Sequence, residues 1–383
     1  MRDIEASTFT LVCNGASDAP PAAAVREFLV SRRARRVTAV YHPLGPEDEP
    51  RHSITVYEPD REPRRRVFRL PSRTPYTYGL DPFIPLWPER VDCWVGFNNL
   101  AAGRGLLQRR LGRAGKVVYW AIDFVPNRFG RGLLTRSYDA LDAFCCRHVD
   151  RRFEVSQSAL EARSARHGLA PAEAAPADVA PMGAWLARVP VAPEDAWRKR
   201  RVLFLGHLVP RQGVAKLLDA FEVLGSRGVD FTAEIAGHGP LLEELRDRVA
   251  RKRLADRVTF VGFVGDHRKL EEFVASGSVA VAPYDTAEDS FTRFADPSKV
   301  RAYMAGGLPV VMTDVPPNAD ELAAEGGAEL VPYTAEGLAD GIERALSSVE
   351  DWQRRREAAL SYSSGFDWEV IVGRALESVG FGA

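Results

Sequence analysis

The sequence predicts an α/β protein built on doubly wound parallel sheets, and three consecutive stretches carry that expectation. RVLFLGHLVPRQGVAKLLDAFEVL reads as a buried strand, Val202 to Leu205, a turn containing Gly206 and Gly213, then an amphipathic helix. FTAEIAGHGPLLEELRDRV repeats the plan, with Gly237, His238 and Gly239 closing the strand and Pro240 starting the helix. VTFVGFVGDHRKLEEFVASGSVAVAPY adds two strands around a helix. Buried strands that alternate with amphipathic helices build a parallel sheet with helices on both faces. Any one Gly turn is explained by plain chain reversal. Several in order, on consecutive units, place Gly, His and Arg together at the carboxyl ends of the strands.

The next unit, ADPSKVRAYMAGGLPVVMT, points to chemistry. A polar loop enters a helix with Pro297 at the first helical position and Asp296 as N-cap. Gly306 and Gly307 end it before the strand LPVVMT. Such a helix turns the backbone N–H groups near Ser298 and Lys299 outward, with the Lys299 charge beside them, and so offers an anion site. At the carboxyl edge of a parallel sheet this is where α/β proteins hold nucleotides.

In order, GHLVPRQGV, IAGHGP, VTFVGFV, PSKVRAYMAGGLPVV and the late FDWEVIVGRAL resemble the carboxyl half of family-four glycosyltransferases with the GT-B fold, over about residues 200 to 383. The resemblance reaches into the amino half through KVVYWAIDFVP and VAPMGAW. It implies two Rossmann-like domains with parallel sheets facing a central cleft. A nucleotide-sugar donor sits mainly on the second domain and an acceptor, small or lipid-linked, mainly on the first. The last helix, around Trp368 to Leu376, crosses back to the first domain. Transfer retains the anomeric configuration and needs no metal and no cofactor besides the donor. The expected division is residues 1–197, 198–362 and the returning segment 363–383.

The departures from that family pattern fall on charged positions. His207 and Gln212 stand where the family has the Arg and Lys that grip the diphosphate, with Arg211 one place early. Ala302 stands where a Glu holds the donor ribose, and Phe294 where its partner Glu falls, although Glu288, Asp289 and Asp296 are near. Arg211, Arg293 and Lys299 are the replacement cations, because a guanidinium clamps phosphate with two bonds. Arg211 is expected to matter more than Gln212. The nucleobase is expected against Gly262, Phe263 and Val264, with Gly237, His238 and Gly239 alongside, where glycine lets the backbone approach closely. His207 and Ser298 complete the donor side.

The amino half reads as a second, less regular α/β domain. TFTLVC is a strand running into NGASDAPP, and AAAVREFLVSRR is the following helix. RVTAVYHPL, HSITVYEP, RRVFRLP, VDCWVGF, KVVYWAI and RRFEVSQ are strands, and RSYDALDAFCCRHV is an amphipathic helix. GLAPAEAAPADVAP is a surface loop and VPVAPEDAWRKR the interdomain linker. At strand ends, Asn14 and Gly15 suit close approach of phosphate or acceptor, or plain turn chemistry. Asn98 and Asn99 suit acceptor hydroxyls. Asp123 either accepts sugar hydroxyls, as a polar residue at this point in the family often does, or caps its loop and pairs with Arg128, itself an acceptor-side residue. His42 is a structural loop residue. GRGLLQRRLGRAGK is either a basic interfacial helix, which would give peripheral membrane contact, or a helix with solvated Arg on one face and Leu in the core.

Composition narrows the function classes. The chain has 383 residues, enough for two domains, and a 45% hydrophobic content that supports ordinary cores. A net charge of -1 argues against a nucleic-acid binder, which needs a basic face. Cys13, Cys93, Cys145 and Cys146 have neither CxxC spacing nor a disulfide framework. No apolar run approaches the ~20 residues of a membrane span, and MRDIEASTFTLVC is too acidic for a signal peptide, so the expected compartment is the cytoplasm. Nothing has metal-ligand spacing, GxSxG is missing, and no GxGxxG follows the first strand. A glycosyltransferase is therefore expected, with Asp123, Lys299 and Arg211 at the chemistry, stabilising the departing diphosphate by fixed N–H groups and cations. The other readings are a silent nucleotide-sugar-binding or partner protein of the same fold and a sugar-nucleotide epimerase.

Overall fold

The computed structural model describes residues 1–14, 20–43, 52–68, 90–286 and 291–382. The chain divides into two compact units, Met1–Met182 with Trp368–Ala383, and Gly183–Asp367.

The first unit is built on strands β1 (Arg2–Asp3), β2 (Thr8–Asn14), β3 (Arg36–His42), β4 (His52–Tyr57), β5 (Arg64–Phe68), β6 (Val91–Gly96), β7 (Ala114–Ala121), β8 (Arg151–Glu154) and β9 (Ala177–Val179). Its helices are α1 (Ala22–Ser31), α2 (Asn99–Arg110), α3 (Leu133–His148) and α4 (Gln157–Arg166). Eight of the strands form one sheet in the order β5-β4-β3-β2-β6-β7-β8-β9. Pairing is parallel except at β3–β4 and β4–β5, which are antiparallel, so this sheet is mixed rather than purely parallel. The central strands are buried on both faces, which is why TFTLVC and VDCWVGF read as near-continuous apolar runs. Trp94 and Trp120 are buried at the centre, and the Trp94 indole N–H donates to the Ala101 carbonyl at 2.9 Å.

The second unit has strands β10 (Arg201–Leu205), β11 (Thr232–Ala236), β12 (Val258–Gly262), β13 (Val279–Ala282), β14 (Val310–Thr313) and β15 (Glu329–Val331). Its helices are α5 (Val214–Ser226), α6 (Leu242–Arg251), α7 (His267–Ala275), α8 (Ser298–Ala305), α9 (Ala319–Ala324), α10 (Ala335–Ser347) and α11 (Val349–Ser363). All pairs in the sheet, order β12-β11-β10-β13-β14-β15, are parallel. Phe204, Leu217, Phe221 and Ile342 pack one face of this sheet; Leu203, Val300, Met312 and Trp352 pack the other. The chain then enters α12 (Trp368–Val379) and β16 (Phe381–Gly382), both part of the first unit. There β16 pairs with β1, and Phe381 meets Phe9 edge-on at 5.1 Å.

Three local expectations are corrected. Residues 189–200 are not a free linker: Ala192 and Ala196 are core residues of the second unit, and the Ala192 N–H donates to the Gly306 carbonyl at 2.9 Å. The segment ends in a short helical turn, Ala196–Lys199, and anchors itself through those two alanines while residues 193–195 stay exposed. The Ala/Pro-rich run before Met182 is not wholly loop, since Ala177–Val179 joins the sheet edge against β8. Finally, Asp296 does not cap α8. Pro297 holds the N-cap position, and Asp296 turns inward to Arg301 at 3.1 Å. Arg301 is buried beneath Phe366, 3.5 Å from its ring centre, and a buried guanidinium needs a counter-charge more than a helix end needs one cap. Asn318 donates to the same carboxylate at 3.1 Å.

Candidate functional site

In each sheet the connections reverse direction at one place, between β2 and β6 in the first unit and between β10 and β13 in the second. Ligands of open α/β sheets bind in the crevice outside the strand ends at such a switch point. In the second unit that point is the turn from Gly206 to Gly213.

The turn is packed backbone on backbone. The Gly206 N–H donates to the Ala236 carbonyl at 3.0 Å, and the Leu208 N–H to the His238 carbonyl at 2.8 Å. Gly237, at φ +140°, lies so close that a Cβ there would come within 1.9 Å of the Gly206 carbonyl oxygen. Gly213, at φ +70°, would place a Cβ 1.7 Å from the Pro283 oxygen. Gly237→Ala is therefore expected to cost on the order of 2 kcal/mol or more in strain. The melting midpoint should fall by at least about 4 °C, read by calorimetry. A midpoint like that of the parent would show that the two turns are not locked together.

Lys299 occupies the space beside Gly206. Its ammonium donates to the side-chain oxygen of Gln212, and a Cβ on Gly206 would lie 3.2 Å from it. It sits 4.3 Å from the Phe204 ring centre and 4.6 Å from that of Tyr284. Among the described residues it has no carboxylate partner, and burial pulls its pKa down to about 7. It is thus a cation held in place by π faces and one neutral amide. The sequence ranks Arg211 above Gln212, yet Gln212 is the residue that reaches Lys299. Arg211 is exposed in a short helical turn, Pro210–Gln212, where its own carbonyl accepts from Asp285 at 3.0 Å.

The other expected donor-side residues are distributed along the same edge. His207 and His238 lie with ring centres 5.0 Å apart, and Phe263 stands edge-on to His238 at 4.9 Å. Phe263 is 71% exposed, so an aromatic ledge projects from the ends of β10, β11 and β12; Val264 follows it, half-buried. Ser298 is exposed at the first turn of α8, where helix amides have no intrahelical acceptor. Arg293 is exposed and donates to the Thr286 carbonyl at 3.0 Å. Glu288 and Asp289 lie outside the described residues.

In the first unit, Asp123 pairs with Arg128, the structural alternative anticipated for it, and keeps its side chain 40% exposed. Asn98 caps α2: its side-chain oxygen accepts from the Ala101 N–H at 2.8 Å and its amide donates to Asn14 at 2.6 Å, across the β2–β6 switch point. Gly15 lies outside the described residues. Asn99 is buried and donates to the Tyr138 carbonyl at 3.1 Å, which removes it from any acceptor surface. His42 ends β3, its Nδ1 2.8 Å from that of His52; burial, with Arg104 and His52 nearby, pushes its pKa down to about 2. The basic segment follows its plainer reading in part. Arg104 is buried against Trp94, Arg109 pairs with Asp150 at 2.8 Å and Leu106 is core, but Leu107 and Leu111 remain exposed.

A fully buried charge network went unseen in the sequence. Arg163 meets Asp142 at 2.5 Å and Glu154 at 2.8 Å, and donates to the Asp123 carbonyl at 2.6 Å. Tyr119 and His167 each reach Asp142 at 2.7 Å. Burial opposes charge on Asp142, but Arg163, helped by bonds from His167 and Tyr119, brings its pKa down to about 2. Burial pushes Glu154 upward. The five side chains come from β7, α3, β8, α4 and the turn after α4, so no local pattern announces them.

Comparison with known proteins decides what the second unit is. Residues 199–348 match the profile of the family described as Glycosyl transferases group 1. This segment is similar to a group 1 glycosyltransferase domain. The chain is 29% identical over 160 residues to the alpha-D-kanosaminyltransferase of Streptomyces kanamyceticus, covering 41% of this chain and 39% of that protein. It is 33% identical over 183 residues to the phosphatidyl-myo-inositol mannosyltransferase of Mycobacterium tuberculosis, covering 46% of each. The chain thus spans less than half the length of the curated relatives it matches. Structural likeness runs further. Sucrose-phosphate synthase from Thermosynechococcus elongatus superposes with a TM-score of 0.72 at 17% identity, over 97% of this chain and 98% of that one. Anabaena HepE in complex with UDP-glucose gives 0.67 at 16% identity, over 97% and 100%. The fold is therefore the GT-B fold of these glycosyltransferases. Among the described residues no helix is long and apolar enough to cross a membrane.

Proposed function

We propose that this chain transfers a glycosyl group from a nucleoside diphosphate sugar, held by the group 1 domain, to an acceptor served by the first unit, with retention at the anomeric carbon. The observation that carries this reading is the ammonium of Lys299, placed at the switch point between β10 and β13 without a carboxylate partner among the described residues. In the reaction the anomeric bond to the diphosphate oxygen breaks, a bond to the acceptor oxygen forms and the proton of the acceptor hydroxyl passes to the departing diphosphate. Charge builds on the leaving diphosphate. Lys299, the amides at the start of α8 near Ser298, and Arg211 or Arg293 meet it without reorganising, which is where preorganised donors are most effective. The ledge of His207, His238 and Phe263, with Gly237 and Val264, suits the nucleobase. Asp123 is assigned to a sugar hydroxyl and Asn98 with Arg128 to the acceptor side. The phosphatidyl-myo-inositol in one relative's name favours a lipid acceptor, with a small molecule as the alternative.

The test pairs binding with turnover. UDP, GDP, dTDP and ADP are screened by thermal shift, and the corresponding nucleotide sugars are incubated with the protein and followed by mass spectrometry. One nucleotide at a hundredfold excess over its Kd is expected to stabilise by about 2.7 kcal/mol. Its sugar is expected to be hydrolysed or transferred. No shift with any of the four and no loss of any donor would overturn the reading. Isomerised donor in place of transfer would assign an epimerase instead.

A further inference from the structure

A cation that clamps phosphate usually stands permanently charged, as an arginine or as a lysine beside a carboxylate. The cation here is built differently. Lys299 is buried, its ammonium faces the Phe204 and Tyr284 rings, and its hydrogen-bond acceptor is the neutral amide of Gln212, at the position where the family resemblance expects a lysine. We propose that the site takes up a proton as it binds a nucleoside diphosphate, with Lys299 receiving that proton and Gln212 positioning it. This rests on the functional reading above.

The chemistry favours an amide at position 212. Its oxygen accepts a hydrogen bond from a neutral amine and from an ammonium alike, so Lys299 keeps one orientation in both states. A carboxylate there would hold the ammonium charged and repel phosphate. Burial without a counter-ion disfavours the charged form and brings the pKa to about 7, so the empty site is largely uncharged in mildly alkaline solution. An arriving diphosphate supplies the missing counter-charge and pulls the pKa back up.

The other titratable and charged groups near Lys299 can be named element by element. His207, Arg211 and Gln212 lie on the turn after β10, and His238 on the end of β11. Tyr284 and Asp285 follow β13, and Arg293 sits in the short turn before α8. Tyr303, on α8 itself, accepts from the Leu205 N–H at 2.6 Å. Asp296 is paired with Arg301 at 3.1 Å. Burial keeps Tyr284 and Tyr303 protonated throughout the neutral and alkaline range of interest, so neither supplies the proton change.

Isothermal titration of UDP and of GDP at pH 8.5, in two buffers of different ionisation enthalpy, counts the protons. The expected result is an uptake of roughly one proton per nucleotide bound, with Kd weakening by up to about tenfold per pH unit between pH 8 and 10. Lys299→Met should abolish the uptake, and Gln212→Glu, which charges the lysine in advance, should bring it close to zero while the protein stays folded. Nucleotide binding with no proton uptake by the wild type, or uptake that persists in Lys299→Met, would overturn the proposal and leave the functional reading standing. Folded protein that binds neither UDP, GDP, dTDP nor ADP would overturn that reading and the proposal with it.

Discussion

Replacing Lys299 by alanine is expected to weaken nucleoside diphosphate binding about ten- to a hundredfold, because one charge-assisted hydrogen bond contributes on the order of 1.5–3 kcal/mol. The substitution removes the ammonium and leaves the start of α8 at Pro297 intact. Protein stability should not fall in step. Lys299 is buried with a depressed pKa, so the folded state binds fewer protons at this side chain than the unfolded chain between about pH 7 and the ordinary lysine pKa of ~10.4. Its contribution to stability is therefore greatest above that range and shrinks as pH falls toward 7. In Lys299→Ala this alkaline rise should flatten. Arg211→Ala is the companion: exposed on the turn, it is expected to act more weakly and with strong salt dependence. Donor affinity unchanged in both variants would mean that the phosphates lie elsewhere.

Arg163→Met is expected to destabilise the first unit by about 3–5 kcal/mol, since breaking a buried ion pair strands its partners. Asp142 and Glu154 would be left without their shared guanidinium, and the Asp123 carbonyl without its donor. For a unit of this size the melting midpoint should fall by about 6–20 °C. Arg166→Ala, three positions after Arg163 and exposed in its pair with Asp139, should change stability by less than ~1 kcal/mol. The acid limb gives a second readout. Asp142 titrates near 2 in the folded state, below the ordinary carboxylate value, so it contributes stability above about pH 4 that is lost as pH falls toward 2. That loss should vanish in Arg163→Met. Equal melting of variant and parent would show that water, not Arg163, satisfies the two carboxylates.

Much of the second unit could be read directly from the chain. Parallel strands buried on both faces are continuous apolar runs, and the turns at their ends need Gly where backbones meet; VAVA, PVVMT, GHL and GHG advertise both. Lys299 was legible for the same reason, since a Pro-led helix beside Gly-Gly and a buried strand has a recognisable form. The first unit was less so. HSITVY and RRRVF have the alternation of strands, but nothing in them says that they pair antiparallel at the sheet edge. Asp296 shows the limit of local rules: a capping residue at the right offset was claimed instead by Arg301, five residues on and buried.

The sequence by itself determined the class of fold and the order of strand–turn–helix units in residues 201–313, because hydrophobic period, glycine and proline act through neighbours in the chain. Only the tertiary structure decided that Lys299 lies against Gln212, Phe204 and Tyr284, and that Arg163 gathers Asp142, Glu154 and the Asp123 carbonyl. Each of those groups comes from a different element. Their distances follow from which strands are neighbours at the switch point and how deeply the helices pack, and a buried charge takes its properties from that surrounding rather than from the residues beside it in the chain.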